Sequence, residues 1–252
     1  MKIISWNLNG IRAAYRNSLF DWFKKTDADI YCFQELKAQE DQIPEEFLNF
    51  KKYNNFLSTA EKKGYSGVAV FSKEKPLKVI DELGFPRFDS EGRILMAEFK
   101  KFVLINFYIP HGGRAKENLY YKLEAYKKIF ACLKKIENKN IILAGDFNIA
   151  HQHIDLARPS QNENNIMFTP EERKQIDELI DLGFVDSFRK LNPSKMQFTW
   201  WPYFAAARER NLGWRIDYIF VYKNLESKIN KAFILDQVHG SDHCPVGVEI
   251  NT

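Results

Sequence analysis

The chain has 252 residues, 45% of them hydrophobic and 15% aromatic, so it can build a sizeable core in one large α/β domain or two small ones. Its net charge of +4 favours an anionic partner only weakly, because many proteins with no nucleic-acid role are equally basic. Three scattered cysteines argue against a disulfide framework, and no apolar run approaches the ~20 residues of a membrane span. The first residues are too polar for a signal peptide, so we expect an intracellular, cytoplasmic protein.

Short apolar runs separated by polar loops predict strands along the whole chain. These runs cover residues 2–6, 29–33, 66–72, 93–99, 102–108, 140–144, 215–222 and 245–250. The run at 102–107 is almost continuously apolar, as expected for a strand that is covered on both faces.

Three helices are predicted between these strands. The first spans residues 11–25, and the clearest spans Lys116 to Glu137, where apolar residues recur at three- and four-residue steps. The third begins at Thr169, a hydroxyl cap that is followed by Pro170 in the first turn. Strands interleaved with a few helices indicate packed sheets with helices outside, and without a linker or repeat we interpret residues 1–252 as one domain.

Polar side chains interrupt or end several of these apolar runs. They are Asn7, Gln34, Glu35, Tyr108, Asp146, Asn148, Asp217, Asp242 and His243. Because strand ends meet in layered α/β proteins, such groups could converge on one site, although each could also form a turn or a cap. An acid inside an apolar strand needs a buried partner, and His243 is the candidate partner of Asp217.

An aromatic run at residues 197–204 is too rich for a simple loop. It is compatible either with core packing or with a pocket that receives an extruded sugar. Basic residues at loops could contact phosphates or could form an ordinary solvated surface. They are Lys62, Lys63, Arg87, Arg114, Lys116, Arg208 and Arg210.

Nine segments in order resemble the motifs of the exonuclease III family of abasic-site endonucleases. They are Ser5-Trp6-Asn7-Leu8-Asn9-Gly10-Ile11-Arg12-Ala13, Cys32-Phe33-Gln34-Glu35-Leu36-Lys37, Tyr65-Ser66-Gly67-Val68-Ala69, Glu91-Gly92-Arg93, Tyr108-Ile109-Pro110, Gly145-Asp146-Phe147-Asn148-Ile149-Ala150-His151, Phe168-Thr169-Pro170-Glu171-Glu172-Arg173, Gly213-Trp214-Arg215-Ile216-Asp217-Tyr218 and Gly240-Ser241-Asp242-His243-Cys244-Pro245. The resemblance implies a deoxyribonuclease-I-like α/β fold, a four-layered sandwich of two mixed sheets flanked by helices. It also implies a Mg²⁺-dependent DNA phosphodiesterase of base-excision repair. That enzyme would cut double-stranded DNA 5′ to abasic sites or process 3′ ends. Nothing in the sequence suggests more than a monomer, and DNA binding would associate it with the nucleoid.

The resemblance implies Glu35 as the principal metal ligand, with Asn7 and Asp242 completing the metal side. A hard divalent cation suits this chemistry, because a general base supplies only ~10²–10⁴-fold of the acceleration that phosphodiester hydrolysis needs. Mg²⁺ usually takes one or two carboxylates, and we expect Mn²⁺ to substitute for it. Zinc would require a fuller ligand set, which His151 and His153 at two-residue spacing do not supply.

The implied catalytic roles fall on five residues. Asp146 would orient and deprotonate the attacking water, and Asn148 would hold that water or a phosphate oxygen. His243, paired with Asp217, would contact the scissile phosphate. Tyr108 would support the phosphate or the leaving oxygen.

The implied substrate pocket departs from the family pattern at one wall. The residues at matching positions around a flipped-out nucleotide are Asn162, Asn165, Trp200 and Trp214, and Arg114 is a candidate phosphate contact. Met167 stands where relatives often have a small residue, so we hypothesise that it shifts activity from abasic-site incision towards 3′-end trimming. Asn9 replaces a frequent Asp, and His111 replaces a frequent Asn.

Two alternatives stay open from the sequence. A non-specific nuclease or a small-molecule phosphodiesterase or phosphatase would share the Asp146-Phe147-Asn148 and Ser241-Asp242-His243 elements, but not the Phe168 or Gly213 motifs. A non-catalytic DNA-binding protein would not be expected to retain the whole polar set.

Overall fold

The structure is a computed structural model that describes residues 1–136 and 140–251. Its strands are β1 (Lys2–Asn7), β2 (Ile30–Gln34), β3 (Asn54–Ser58), β4 (Val68–Ser72), β5 (Lys78–Ile80), β6 (Ile94–Glu98), β7 (Val103–Tyr108), β8 (Ile141–Asp146), β9 (Phe184–Asp186), β10 (Asp217–Tyr222), β11 (Ile229–Ile234) and β12 (Val246–Ile250). Its α-helices are α1 (Ile11–Arg16), α2 (Leu19–Thr26), α3 (Glu45–Leu48), α4 (Pro86–Ser90), α5 (Leu119–Leu133), α6 (Pro159–Asn162), α7 (Pro170–Asp181) and α8 (Ser187–Leu191).

The strands form two mixed six-stranded sheets of similar plan. The first has the order β11-β12-β1-β2-β4-β3 and the second has the order β5-β6-β7-β8-β10-β9. In each sheet the parallel pair is central, β1 with β2 and β7 with β8, and the other neighbours are antiparallel. Two of these central strands, β7 and β8, are almost wholly buried, because the sheet is covered on both faces.

Three hydrophobic clusters define the layers. The inner cluster joins both sheets through residues such as Ile3, Val70, Leu104 and Ile219. A second cluster packs helices α5 and α7 on the outer face of the second sheet, and a third packs α1 and α2 on the outer face of the first. The chain is therefore a four-layered α/β sandwich, as predicted, because each sheet buries one face against the other sheet and one against helices.

A polar bridge crosses the inner layer. Gln34 donates from its side-chain amide to Asn106 Oδ1 at 2.7 Å, and Asn106 donates to the carbonyl oxygens of Phe33 and Ala69 at 3.1 and 2.9 Å. All of these groups are buried, so the hydrogen bonds offset the cost of removing the amides from water. The bridge ties the end of β2 to the strand that carries Tyr108.

The eight predicted strands all exist, with ends shifted by one or two residues. Helix α5 is shorter than predicted, and Glu137, its predicted last residue, lies outside the described residues. Helix α7 has the predicted cap, with Thr169 and Glu172 bonding each other's backbone N–H. The prediction of one helix at 11–25 is wrong, because Ser18 adopts a left-handed conformation (φ 68°) that separates α1 from α2.

Candidate active site

Strand register brings the polar residues of the second sheet together. Tyr108 at the end of β7 is the register partner of Asp146 at the end of β8, and Asp217 at the start of antiparallel β10 is the partner of Asp146 on the other side. In the first sheet, Asn7 and Gln34 end the parallel strands β1 and β2 in register. The ends of these strands therefore bring together side chains from distant parts of the sequence.

Asp146 is buried and held by amides. Asn7 Nδ2 donates to Asp146 Oδ2 at 2.9 Å, and Asn148 donates from its backbone N–H to Oδ1 at 2.8 Å and from Nδ2 to Oδ2 at 3.1 Å. Burial, followed by the negative charge of Asp217, raises the pKa of the Asp146 carboxyl to about 7. A carboxyl with this pKa can exchange a proton near neutrality, which is the property of a general base.

His243 and Asp217 form a buried pair beside Asp146. His243 Nδ1 lies 2.9 Å from Asp217 Oδ2, and the same oxygen accepts from the Thr199 hydroxyl at 2.6 Å. His243 Nε2 points towards Asp146, with 3.9 Å to Asp146 Oδ2. Burial alone would lower the pKa of His243, but Asp217 and then Asp146 overcome it and raise the pKa to about 10. The ring is therefore a cation at neutral pH.

A second group of side chains lies next to this pair and is linked to it through Trp200. Asp242 accepts from Asn9 Nδ2 at 2.9 Å and from the indole N–H of Trp200 at 3.0 Å. Lys37 places its ammonium 2.9 Å from Glu35 Oε1, and it also donates to Asn9. Glu35 adopts a left-handed backbone conformation (φ 57°), which is a strained choice for Glu and common at functional sites.

One group of three residues and one single carboxylate could hold a metal ion. Asp146, Asp217 and His243 each place one ligand atom within 4.8 Å of the others. The charges of Asp217 and Asp146 raise the pKa of His243 to about 10, so a metal ion at this group would have to displace the proton of the imidazole. The carboxylate of Glu35, which already faces the Lys37 ammonium, has the charge and the hard oxygen donors that Mg²⁺ prefers.

Tyr108 lies in the same site, near Glu35 and Asp146. Burial, followed by the charge of Glu35, raises the pKa of its phenol well above its usual range. The Arg93 guanidinium lies over the ring at 4.7 Å from its centroid and donates to the Tyr108 carbonyl oxygen at 3.0 Å. The phenol is therefore a neutral hydrogen-bond donor at physiological pH.

A pocket of about 510 Å³ opens beside Trp200 and is built mainly from loops. Its lining includes every residue predicted for substrate binding, together with five further residues. The predicted set is Arg114, Asn162, Asn165, Met167, Trp200 and Trp214. The added set is His111, Lys116, Ile166, Pro202 and Phe204. The structure thus gathers these loop residues around one concave surface.

The aromatic run at 197–204 contributes residues both to the core and to the lining of the pocket. Phe198 and Trp201 are buried in the inner core, whereas Trp200 lines the pocket and Phe204 is 65% exposed at its rim. The Arg208 guanidinium, one of the basic groups that could contact phosphates, donates to three backbone carbonyls, those of Ser241, Asp236 and Val238.

Sequence reasoning missed several residues that the site uses. Thr199, Lys37 and Lys122 each contact a predicted site residue, and none of them was singled out. A hydroxyl next to the paired tryptophans was the available signal for Thr199. Lys122 gave the clearest signal, a cation within the apolar stripe of α5, because such a residue needs a buried partner.

The fold and the site together define a hydrolase of the metal-dependent nuclease class, with a buried carboxylate, an Asp–His pair and acidic groups at the shared edge of two facing sheets. The match of residues 4–243 to the model of the endonuclease/exonuclease/phosphatase family shows that the chain belongs to this family.

Curated relatives match over the full length of the chain. An exodeoxyribonuclease of Bacillus subtilis (strain 168) is 43% identical over 254 aligned positions and covers 100% of both chains. The DNA repair nuclease APEX1 of Danio rerio is 39% identical, over 98% of this chain and 81% of its own length.

Solved structures have the same fold throughout. A 3′ phosphatase from Neisseria, bound to a product DNA hairpin, has a TM-score of 0.93 at 27% identity, with full coverage of both chains. An AP endonuclease from Archaeoglobus fulgidus has a TM-score of 0.91 at 29% identity, again with full coverage. Among the described residues of our chain, no helix is long and apolar enough to span a membrane.

Proposed function

We propose that this protein is a Mg²⁺-dependent DNA phosphodiesterase of base-excision repair that acts at abasic sites, at 3′ ends, or at both. The observation that carries the proposal is the buried Asp146 carboxylate, fixed by Asn7 and Asn148 and 3.9 Å from the protonated His243 ring. The names of its relatives, which include a DNA repair nuclease and an exodeoxyribonuclease, support DNA as the substrate.

Each residue has a definite task in the proposed hydrolysis. Asp146 accepts a proton from the attacking water, and the Asn148 amide, 3.1 Å from Asp146 Oδ2, orients that water. The cationic His243 ring contacts a non-bridging phosphate oxygen, where negative charge develops. Asp217 and Thr199 keep the ring in place and maintain its charge. The neutral Tyr108 phenol donates to the phosphate or to the leaving oxygen.

We place the metal ion at Glu35, with Asn7 and Asp242 on the same side. A bound Mg²⁺ would polarise the phosphate and stabilise the leaving 3′ oxygen. The Lys37 ammonium lies 2.9 Å from Glu35 Oε1, so a bound Mg²⁺ would take the place of this cation beside the carboxylate. Mn²⁺ is expected to substitute, because it accepts the same oxygen ligands.

We assign the pocket of about 510 Å³ to the nucleotide or abasic sugar at the cleavage point. Trp200 and Trp214 offer apolar walls, and Arg114 and Lys116 offer positive charge for phosphates. Met167 narrows one wall in a left-handed backbone conformation (φ 70°) that glycine adopts without strain. This supports the hypothesis that Met167 biases the enzyme towards 3′-end processing.

Two labelled DNA duplexes test the proposal. One carries a single internal abasic-site analogue, the other is undamaged with a recessed 3′ end, and each is incubated with Mg²⁺ or with EDTA. Mg²⁺-dependent incision immediately 5′ to the lesion would establish the abasic-site activity, and trimming with the lesion left intact would establish 3′-end processing. If neither duplex is cut with Mg²⁺ or Mn²⁺, the proposal is wrong, and small phosphate esters become the substrates to test.

A further inference from the structure

Helix α5 carries a lysine that has no exposure to solvent. Lys122 and its partner Glu172 are both 0% exposed, and their charged atoms lie 2.5 Å apart. The other two donors of the Lys122 ammonium reach backbone carbonyl oxygens, that of Asn148 at 2.6 Å and that of His111 at 3.3 Å. All three ammonium hydrogens therefore have acceptors.

These contacts join the two parts of the candidate active site. The Asn148 carbonyl belongs to the turn that carries Asp146, and the His111 carbonyl belongs to the loop that lines the substrate pocket. The second carboxylate oxygen of Glu172 accepts from the Thr169 backbone N–H at 3.0 Å, so the pair is also fixed to the cap of α7. One buried ammonium thus connects three segments that are distant in sequence.

Asn148 needs such support because of its own geometry. It adopts a left-handed conformation (φ 52°), and its side-chain amide must reach both Asp146 Oδ2 at 3.1 Å and the Ile109 carbonyl at 2.8 Å. The strongest backbone contact beyond the turn itself is the Lys122 ammonium on its carbonyl oxygen. If the whole residue turned so that its carbonyl left the Lys122 ammonium, the side-chain amide of Asn148 would move away from Asp146.

Stability alone does not require this ion pair. Replacing a buried ion pair with apolar or neutral groups of similar size is often neutral for folding or even favourable, whereas removing one partner alone leaves a buried charge unpaired. Burial lowers the pKa of the Lys122 ammonium, and the charge of Glu172 opposes that shift. Folding stability therefore does not explain why this polar pair is buried. Its contact with the active-site turn, through the Asn148 carbonyl, does.

We propose that Lys122, held by Glu172, is a positioning residue that sets the Asn148 amide against Asp146 for the reaction. The inference rests on the proposed function, because its effect is on phosphodiester cleavage. It predicts a loss in the rate of the chemical step that persists when the fold is fully stable, with little change in DNA affinity.

The test uses the double variant Lys122→Met, Glu172→Gln, which removes both buried charges while the glutamine oxygen can still accept from Thr169. Lys127→Met, an exposed lysine on the same helix, is the matched control. Single-turnover cleavage of the recessed duplex with Mg²⁺, the DNA dissociation constant in EDTA and the melting temperature are measured for each protein. The same double variant is also made in an Asn148→Ala background.

We expect the double variant to melt near the wild-type temperature, to bind DNA within about threefold of wild type, and to cleave about 10- to 100-fold more slowly. In the Asn148→Ala background the same change should cost little more, because the group that it positions is gone. Wild-type cleavage by a folded double variant, or an undiminished further loss in the Asn148→Ala background, would overturn the inference while leaving the proposed function intact. Failure of the wild-type protein to cleave DNA at all would instead overturn the proposed function, and this inference with it.

Discussion

The carboxylate side of the site and the neighbouring pocket are built in opposite ways. Around Asp146, side chains at the ends of buried strands or beside those ends hold one another through hydrogen bonds of 2.6 to 3.1 Å. The pocket is lined by loop residues, and at its rim the ring of Phe204 is 65% exposed. Trp200 belongs to both, since it lines the pocket and donates to Asp242.

This difference indicates that one region carries out the catalytic step and the other selects the substrate. Groups fixed on buried strands need no rearrangement when charge develops in the transition state, so they suit the step that is common to all substrates of the enzyme. Loop residues around an open pocket can change with little cost to the fold, so they suit the choice of substrate. The comparison predicts that changes near Asp146 lower every activity, whereas changes in the pocket alter the ratio of activities.

The largest expected effect is that of Asp146→Asn. The amide has almost the same shape but cannot accept the proton, so single-turnover cleavage should fall on the order of 10²–10⁴-fold for both abasic and recessed duplexes. DNA affinity in EDTA should change little and serves as the control. Equal cleavage rates for variant and wild type would remove Asp146 from the role of base, and a loss on only one substrate would contradict the comparison.

A smaller effect is expected for Met167→Gly. Removing this side chain widens the pocket and relieves the left-handed backbone, so incision at the abasic analogue should rise about tenfold relative to 3′ trimming. Both activities are measured on the same protein preparation, with Met196→Gly, an exposed methionine, as the control. An unchanged ratio would show that Met167 does not determine the substrate preference.

The smallest effect concerns stability and its dependence on pH. Because the pKa of His243 is about 10 in the fold and about 6.5 as its ordinary value, the protonated ring stabilises the fold fully below pH 6.5. That contribution is lost as the pH rises towards 10. Between pH 8 and pH 10, in EDTA, wild type should therefore lose roughly 5 °C more in melting temperature than His243→Gln. Asp146, with a pKa of about 7, is already ionised in this range. Parallel curves for the two proteins would mean that His243 is not held as a cation.

The strands that the sequence did not predict have one feature in common. They are β3, β5, β9 and β11, and each lies at an edge of its sheet. An edge strand is short or carries polar residues because its outer side faces solvent, so it lacks the apolar run that marks a central strand. Residues 78–80 show this, since the three-residue strand β5 has one exposed and two half-buried side chains.

The site shows a similar division. The types of the polar residues, and their places at the ends of apolar runs, were visible in the chain, and all of the predicted pocket residues do line one pocket. Thr199 and Lys122 were missed because their importance lies in contacts with residues 18 and 26 positions away, Asp217 and Asn148. The hydrogen bonds of the Arg208 guanidinium with three carbonyl groups could not be predicted from the sequence either.

The amino-acid sequence by itself determined the family, the central strands and the identity of the polar groups, because apolar periodicity and ordered motifs are properties of neighbouring residues. Only the tertiary structure decided which of those groups meet, which become charged and which hold the others in place. Strand register sets Asp146 between Tyr108 and Asp217. Burial and the charge of Asp217 raise the pKa of Asp146, and the charges of Asp217 and Asp146 raise the pKa of His243 against the effect of its burial. Distances and desolvation arise from packing between segments far apart in the chain, and no local pattern contains them.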